Sequence, residues 1–423
     1  MKSVSLKLKM SNEKITSVNG MRLHGGSITI ADFIKSIGLE ETLDSILPKA
    51  GSNRGYKSSH KILALISSLT LSGEGRYVNI DRLRNDGVLK MIWGFKNIPF
   101  STKIGEWFLK NGESSGDFAT GITKKKIDEL SLDIAIKALK ARGVKEVIFD
   151  ADVSIIEANK KESKKTYKGF RGMGSLLGFA KGFCLYSDFR NGNVHASVGL
   201  LEELKYIHKK LSENGIKMIY RSDSAGFIYE IMEYCAINNI TYFIRAKEFN
   251  SLKREGLKCN FENNITEEKQ ISEFVYSMNG MPIRIITTRE KLKADLPMDI
   301  FGNYGFIATN SNKNIFNVYQ SYNDRGVCEY NIKEMKQNFE LGRLPSSYLG
   351  ANGLWSSVLV LAYNIITAFK QRLSIGKLTA RTLRWFFTIP AKLVSHGGEF
   401  ILNLRTDKKT FRRILKWRIK CLT

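Results

Sequence analysis

The sequence predicts an α/β protein in which a mostly helical N-terminal region precedes a core of alternating strands and helices. Two observations support this. Residues 28–140 carry apolar residues at helical spacing, and short apolar β-type runs with intervening helices begin at Val144. The chain has 423 residues, enough for two or three domains at about 150 residues each. Hydrophobic residues make up 43% of the chain, so a folded core is expected.

The first part of the chain contains several helical segments separated by Gly, Asn and Pro. Ser101 is placed to cap the segment from Lys103 to Lys110, because a Ser side chain accepts hydrogen bonds from the free N–H groups of a helix start. The other predicted helices are ITIADFIKSIGLEETLDSIL, HKILALISSLTL and NIDRLRNDGVLKMIWGF. We therefore predict a mostly helical domain over residues 1–140.

From Val144 onward the pattern changes to strands. KEVIFDADVS predicts a buried strand that ends in acids, and residues 169–198 predict two or three strands with a turn at Asn191–Gly192. A helix is predicted over residues 200–214, followed by the strand IKMIYRSD, a helix over 226–237 and the strand ITYFIRA. Strands that alternate with helices in this way indicate an α/β sheet.

Residues from about 247 to 312 contain short β-type runs such as FVYSM, MPIRIITT and YGFIAT, without a clear helical period. This segment predicts a β-rich insertion in the core. YNDRGVCEYNIKEMKQNF is predicted to be helical, and residues 354–369 predict an apolar core helix. The predicted domains are therefore residues 1–140, a catalytic-type core over 141–370, and a basic C-terminal region over 371–423.

The net charge indicates a polyanionic partner. Lys and Arg number 66 against 41 Asp and Glu, a formal charge of +25. Nearly half of this excess lies in residues 370–423, where the only acids are Glu399 and Asp407. A basic surface of this size is typical of proteins that bind nucleic acid.

The chain gives no sign of export or of membrane insertion. Its N-terminal residues lack an apolar signal segment, and we expect no uncharged apolar run of the roughly 18 residues that a membrane span needs. Five scattered cysteines form no CxxC pair, which favours reduced thiols over disulfides. We therefore expect a cytoplasmic protein with no membrane partner.

Three carboxylates stand near the ends of predicted strands. Asp150 and Asp152 share one side of the first strand, because side chains alternate with a period of two, and Asp223 ends the strand IKMIYRS. In an open α/β sheet such positions face the crevice where ligands bind. A carboxylate at a strand end can equally be a solvated loop residue, so the residues alone leave both interpretations open.

A second group lies in the predicted helix near residue 330. Tyr322, Arg325, Glu329 and Lys336 follow the spacing i, i+3, i+7 and i+14, which places them on one stripe of a continuous helix. The stripe also contains Ile332, so it differs from an ordinary solvent-facing surface. The alternative is a solvated face with an Arg325–Glu329 ion pair, which would contribute about 0.2–0.5 kcal/mol.

These residues resemble a known family. The spacing of Tyr322, Arg325, Glu329 and Lys336 is similar to the YREK signature of bacterial insertion-sequence DDE transposases, and other passages resemble the transposase DDE domain, group 1. These passages are DRLRND at 81–86, RSDSAGF at 221–227, IATN at 307–310, ANGLW at 351–355, LAYN at 361–364 and LRWFFTIPAKLV at 383–394. The resemblance covers residues 20–404 or so.

The resemblance implies a ribonuclease-H-like catalytic core with a β-rich insertion and a catalytic triad of Asp152, Asp223 and Glu329. Asp150 is a competing candidate for the first acid. The implied cofactor is a pair of Mg²⁺ ions, with Mn²⁺ as a substitute. Hard cations prefer oxygen ligands, so three carboxylates suffice to bind them, and two such ions stabilise the attacking and leaving oxygens of phosphoryl transfer.

The same resemblance assigns DNA contacts to Tyr322, Arg325 and Lys336. Tyr322 has a structural alternative as a half-buried aromatic residue. Two basic segments are further candidates for phosphate contacts. They are Lys160, Lys161, Lys164, Lys165, Lys168 and Arg171 in the first, and residues 408–420 with Lys408, Lys409, Arg412 and Arg413 in the second. The second segment is amphipathic and could instead pack on the protein or lie on a membrane surface.

The implied function is that of a DNA transposase that cuts and rejoins DNA at terminal inverted repeats by a cut-and-paste mechanism. Double-stranded DNA, both terminal repeat and target, is the expected partner. A homodimer is expected on DNA, and the helical N-terminal region is expected to bind the DNA end. The alternatives are a metal-dependent nuclease or resolvase of the same fold and an inactive DNA-binding relative.

Overall fold

The computed structural model describes residues 6–10, 21–50, 55–290, 303–396 and 399–422. Helices dominate the first part, as predicted, and a short hairpin interrupts them. The elements in chain order are β1 (Leu6–Met10), β2 (Met21–Arg22), α1 (Ile28–Ser36), α2 (Leu39–Ile46), α3 (Ser58–Leu71), α4 (Tyr77–Leu83), α5 (Gly87–Trp93), α6 (Ser101–Asn111), β3 (Glu113–Ser115), β4 (Phe118–Thr120) and α7 (Ile122–Ala141).

The middle of the chain alternates strands and helices, and this prediction is also confirmed. Its elements are β5 (Glu146–Glu157), β6 (Lys164–Lys165), β7 (Arg171–Ala180), β8 (Phe183–Asn191), α8 (Leu200–Ser212), β9 (Lys217–Ser222), α9 (Tyr229–Ile237) and β10 (Thr241–Arg245).

The last part begins with a helix and a run of strands and ends in helices and a hairpin. Its elements are α10 (Asn250–Leu257), β11 (Asn263–Thr266), β12 (Lys269–Met278), β13 (Met281–Glu290), β14 (Tyr304–Thr309), α11 (Ile315–Asn323), α12 (Gly326–Asn338), α13 (Leu349–Arg372), α14 (Ala380–Phe387), β15 (Ala391–His396), β16 (Glu399–Leu404) and α15 (Lys408–Leu422).

One large mixed sheet runs through the molecule in the order β11-β12-β13-β14-β10-β9-β5-β7-β8-β4-β3. Strands β5, β9 and β10 are mutually parallel, and α8 and α9 supply the crossovers that parallel pairing requires. Strands β7 and β8 are antiparallel to their neighbours, and so is β14 on the other side. The carboxyl ends of β5, β9 and β10 therefore point towards one edge of the sheet.

The hairpin between β7 and β8 has a tight turn whose position the sequence did not indicate. Lys181 and Gly182 join the strands, with φ of 49° and 85°. Positive φ at both central residues suits the right-handed twist of a two-residue hairpin, and Gly adopts it without steric cost. The predicted turn at Asn191–Gly192 is confirmed and follows β8, where the N–H of Val194 donates to the carbonyl of Asn191 at 3.2 Å.

The β-rich segment does not stand apart from the sheet. Strand β14 pairs with β10, β13 with β14 and β12 with β13, so the segment widens the sheet beyond β10. Helix α10 was not predicted, because NSLKREGL contains only two leucines and its buried positions are Leu252 and Gly256. Residues 291–302, within the predicted insertion, lie outside the described part of the chain.

Helices cover both faces of the sheet. On one face, α8 places Glu203 beside Gly178 of β7, and the Phe149 and Tyr220 rings lie 6.5 Å apart between centroids. On the other face, Tyr363 of α13 packs against Phe179 of β7 at a centroid distance of 6.4 Å. Helices α11 and α12 lie on this second face, so Asp150 and its neighbours on that side of β5 point towards them.

Helix α13 is the central core helix. It contacts α3, α6, α7 and β8, which joins the N-terminal helices to the sheet in one hydrophobic core. Its 24 residues are long and apolar enough to cross a membrane by length and composition, which corrects the expectation that no such segment exists. Every residue of its most apolar stretch is buried inside the protein, however, as expected for a core helix.

The two ends of the described chain meet in a small second sheet. Its order is β1-β16-β15-β2, with β1 parallel to β16. Helix α15 follows and packs against α1 and α13, with the Trp417 ring 5.0 Å from Phe386 and 6.3 Å from Phe369 between centroids. The C-terminal region is thus built into the fold. The division into domains at residues 140 and 370 stays a prediction.

Candidate active site

Asp152 and Asp223 lie on neighbouring parallel strands at the same level of the sheet. The register pairs Ala151 of β5 with Ser222 of β9, and each aspartate is the next residue in its strand direction. Adjacent strands are about 4.8 Å apart, so the two carboxylates leave the sheet as neighbours. The prediction that a strand ends at each acid is confirmed for Asp223, which directly follows β9, and is wrong for Asp152, because β5 continues to Glu157 and only its pairing with β9 ends at Ala151.

Burial and two neighbouring charges shift the pKa of the Asp152 carboxyl. Burial raises the pKa of the Asp152 carboxyl; the positive charge of Arg325 opposes this shift, and the negative charge of Asp223 adds to it. The backbone N–H of Val153 donates a hydrogen bond of 2.8 Å to its Oδ1 atom. Asp223 accepts a hydrogen bond of 3.0 Å from the N–H of Ala225, which fixes the turn after β9. Two neighbouring carboxylates repel each other, so positive charge between them is favourable.

Arg325 supplies that positive charge in the structure. Its Nη2 atom is 3.1 Å from Asp152 Oδ2 and donates a hydrogen bond of 3.2 Å to the carbonyl of Ala151. Its Nη1 atom is 3.7 Å from Glu329 Oε1. Although burial opposes it, the Asp152 and Asp223 carboxylates raise the pKa of the guanidinium. The side chain is only 10% exposed, so Arg325 joins the first and third acids instead of facing solvent.

Glu329 reaches the site from α12 and has the most open position of the three acids. Its side chain is 70% exposed, compared with 22% for Asp152. Among the residues that the structure describes, no three His, Cys, Asp or Glu side chains lie close enough together to hold a metal ion. The donor set nevertheless suits a hard cation: three carboxylates come from three elements, and two of them are adjacent and mutually repulsive.

Asp150 has a partner of its own. Arg221 on β9 donates to both carboxylate oxygens, at 2.5 Å from Nε and 2.8 Å from Nη2, and both side chains are at least 90% buried. Burial raises the pKa of the Asp150 carboxyl, and the hydrogen bonds and charge of Arg221 oppose this shift. Asp150 therefore forms a buried ion pair with Arg221. Asp152 lies two residues further along β5, beside Asp223.

Arg221 also ties the sheet to the helices above it. Its Nη1 atom donates to the carbonyl of Ser321 at 2.5 Å, and Nη2 donates to that of Asp324 at 3.2 Å. These two carbonyls lie at the end of α11 and in the junction with α12. Sequence reasoning missed this residue, although the period of two in β9 places Arg221 on the same side as Asp223.

The predicted single helix is divided in two at this junction. Tyr322 lies in the last turn of α11, and Arg325 lies just before the first residue of α12. Tyr322 packs against the apolar cluster beneath α11, and burial raises the pKa of its hydroxyl. The stripe is therefore bent between its first two members, while Arg325, Glu329 and Lys336 continue along α12.

Lys336 extends the site along β5. Its Nζ atom donates a hydrogen bond of 3.3 Å to the carbonyl of Ile155, three residues beyond Asp152. Partial burial and the like charge of Lys168 lower the pKa of the amine, and the charge of Asp152 opposes this shift. The Lys336 ammonium therefore interacts electrostatically with Asp152 and with Lys168 of the basic segment after β5.

The second basic segment, α15, lies elsewhere. Helix α15 packs at the C-terminal end of α13, where Lys420 accepts a hydrogen bond of 3.0 Å from Arg372 through its carbonyl. The basic segment after β5 contacts the opposite end, where the Glu162 carboxylate accepts from the N–H of Leu349. A helix of 24 residues is about 36 Å long, so the structure does not bring the two segments together.

The apolar side of α15 is buried, with Ile414 and Trp417 in the core. The apolar face of α15 therefore packs on the protein, as one of the alternatives predicted. Its predicted phosphate-binding cations, Lys408, Lys409, Arg412 and Arg413, face solvent.

Comparison with known proteins identifies the family. A search of curated proteins found no match. A family model described as transposase DDE domain group 1 matches residues 4–417. This match covers nearly the whole chain and includes both neighbouring aspartates and the helices above them, so the chain belongs to the family of group 1 transposase DDE domains.

Proposed function

We propose that this protein is a DNA transposase that cuts DNA at the terminal inverted repeats of an insertion sequence and rejoins it at a target site. Membership of the DDE transposase family supports this function. The observation that carries the proposal is the pair Asp152 and Asp223, each directly after the last residue through which the parallel strands β5 and β9 pair, with Glu329 brought to them by α12.

We further propose that the core is ribonuclease-H-like. The supporting observation is the strand order β8-β7-β5-β9-β10, with an antiparallel meander followed by two parallel strands on crossover helices. In this proposal residues 141–370 form the catalytic domain, and the strands after β10 are its β-rich insertion. The helices of residues 1–140 would bind the DNA end, and residues 371–423 would add basic surface.

DDE transposases generally use divalent metal ions, and the residues present fit Mg²⁺ or Mn²⁺. Asp152, Asp223 and Glu329 would hold two ions, which when bound would stabilise charge on the attacking and leaving oxygens. The protein itself holds the two aspartates in fixed positions through the hydrogen bonds from Val153 and Ala225.

The cations beside the acids would position the DNA end. The Arg325 guanidinium, which here contacts Asp152 and Glu329, would exchange these contacts for a bidentate phosphate when DNA binds, whereas the Lys336 ammonium would act as a point charge. Tyr322 lies at the junction and would add a contact to the phosphate or to a base. We also propose that the protein acts as a homodimer on DNA, in the cytoplasm.

Removing the charge of Lys336 tests the proposal against its rival, a metal-dependent nuclease of the same fold. We expect Lys336→Ala to cut and join a labelled terminal-repeat duplex in Mg²⁺ about 100-fold more slowly, because a phosphate misplaced by about 1 Å can cost that factor. Lys209→Ala, which removes an exposed cation from α8, is the control and should behave as the wild type. Cutting without any joining by the wild type would favour the nuclease.

The exposed cations of α15 can be tested without removing the helix. We expect Lys409→Gln with Arg412→Gln to weaken binding to specific and random duplexes alike. Each lost phosphate contact should reduce the log–log salt slope by about 0.9. Both residues face solvent, so the fold should be unaffected. The measurement is binding to a labelled duplex at increasing salt, and an unchanged slope would remove α15 from the proposed DNA surface.

A further inference from the structure

The loop after β5 forms a small hairpin that the catalytic proposal does not use. Strand β6 pairs with the start of β7, Lys164 opposite Gly172 and Lys165 opposite Arg171. A turn closes it, in which the N–H of Gly169 donates to the carbonyl of Thr166 at 3.1 Å. Gly169 has a φ of 92°, which favours glycine at this position. We call residues 164–172 the tip hairpin.

The base of the tip hairpin is anchored on several sides. Lys164 forms an ion pair of 2.7 Å with Asp117, and Arg171 donates to the carbonyl of Ser163. Glu162, two residues before Lys164, binds the first N–H of α13 at 2.6 Å. The Thr166 hydroxyl donates to the carbonyl of Phe170 at 2.9 Å. The hairpin is therefore tied at its base to Asp117 and to the start of α13.

The end of this anchored turn carries an exposed aromatic ring between cations. Tyr167 is 81% exposed, the highest exposure among the large hydrophobic and aromatic side chains that the structure describes. Lys168 Nζ lies 5.7 Å from the centre of its ring, and Lys165 precedes it by two residues. An exposed ring with an ammonium group beside it suits a nucleic acid strand, because bases stack on aromatic faces and phosphates bind Lys.

The position of the tip hairpin relates it to the proposed cleavage site. Glu157 of β5 and Lys164 both pair with Gly172, so the hairpin begins five residues beyond Asp152 along β5. At 3.3 Å per residue this is roughly 16 Å. One strand of a duplex advances about 3.4 Å per nucleotide, so the span corresponds to about five nucleotides. Lys336 contacts β5 between the two, at the carbonyl of Ile155.

We propose that the tip hairpin binds the DNA strand a few nucleotides from the cut, with Tyr167 stacked on an unpaired base and Lys168 on a neighbouring phosphate. This inference rests on the proposed function, since it requires DNA at Asp152. Stacking on an exposed ring is tolerant of sequence, so the hairpin would recognise an opened duplex and not a particular base.

The test compares two labelled 30-base-pair duplexes, one fully paired and one with an unpaired 2-aminopurine in the middle. The wild type should bind the second duplex more tightly and quench its fluorescence. We expect Tyr167→Ala to lose about tenfold in affinity for that duplex, together with the quenching, and to bind the paired duplex normally, because stacking on one ring is worth that factor or more. Tyr167→Trp should retain both properties.

Lys168→Ala should instead weaken binding to both duplexes and flatten the salt slope, while Lys209→Ala should change neither. Equal binding of the two duplexes by the wild type, or a full preference retained by Tyr167→Ala, would overturn the inference and leave the proposed transposase standing. A wild type that binds neither duplex would instead contradict the proposed function itself, and the inference with it.

Discussion

Asp152→Asn, Asp223→Asn and Glu329→Gln are each expected to reduce DNA strand cleavage in Mg²⁺ about a thousandfold or more. The reason is the loss of negative charge at the point where the pairing of β5 with β9 ends and α12 reaches the sheet. Stabilising the charge on the reacting oxygens is worth several kcal/mol, and each 1.36 kcal/mol is a factor of ten in rate. DNA binding should be nearly unchanged, because carboxylates add no affinity for a polyanion.

The measurement is cleavage of a labelled terminal-repeat duplex, alongside binding of the same duplex. Asp150→Asn is the comparison variant, because Asp150 lies on the same side of the same strand and pairs with Arg221; the amide loses the ion pair but keeps an oxygen that accepts from Arg221. We expect it to retain far more cleavage than Asp152→Asn. The reverse order of the two variants would make Asp150 the first acid of the triad, and normal cleavage by any of the three variants would strike that residue from it.

The neighbouring aspartates could be predicted because each follows an apolar run in the sequence, although β5 does not end at Asp152 but continues to Glu157. KEVIFDADVS and IKMIYRSD both end apolar runs in acids, and parallel pairing of β5 with β9 places these acids side by side. Which of Asp150 and Asp152 faces Asp223 could not be predicted. That choice depends on the register between two strands and on Arg221, whose contacts to two helix carbonyls are formed only in the folded chain.

The sequence contains helix-ending residues at the bend between α11 and α12, which the spacing of the four stripe residues does not reveal. Asn323, Asp324 and Gly326 surround Arg325, and such residues commonly end one helix and start another. The spacing of the four residues predicts one stripe only on a continuous helix. Similarly, the amphipathic pattern of α15 fits both DNA contact and packing, because the same helix can bury Trp417 and expose Arg412.

The pair of Arg221 and Asp150 should matter for both stability and activity. Arg221→Leu leaves the Asp150 carboxylate buried without its partner, and breaking a buried ion pair in this way costs about 3–5 kcal/mol. It also removes the donors to Ser321 and Asp324, which hold the junction of α11 and α12. We therefore expect a lower urea midpoint and a loss of cleavage of about 100-fold, since Arg325 and Glu329 follow this junction.

The double variant Arg221→Leu with Asp150→Leu separates the two effects. Replacing both charges by apolar groups removes the unpaired carboxylate, so most of the lost stability should return. The junction would still lack its donors, and cleavage should stay low. Urea unfolding followed by circular dichroism measures the first effect, and the duplex assay measures the second. If cleavage returned together with stability, Arg221 would act on folding alone, and the position of Arg325 and Glu329 would have to be set by the packing of α12 on β5.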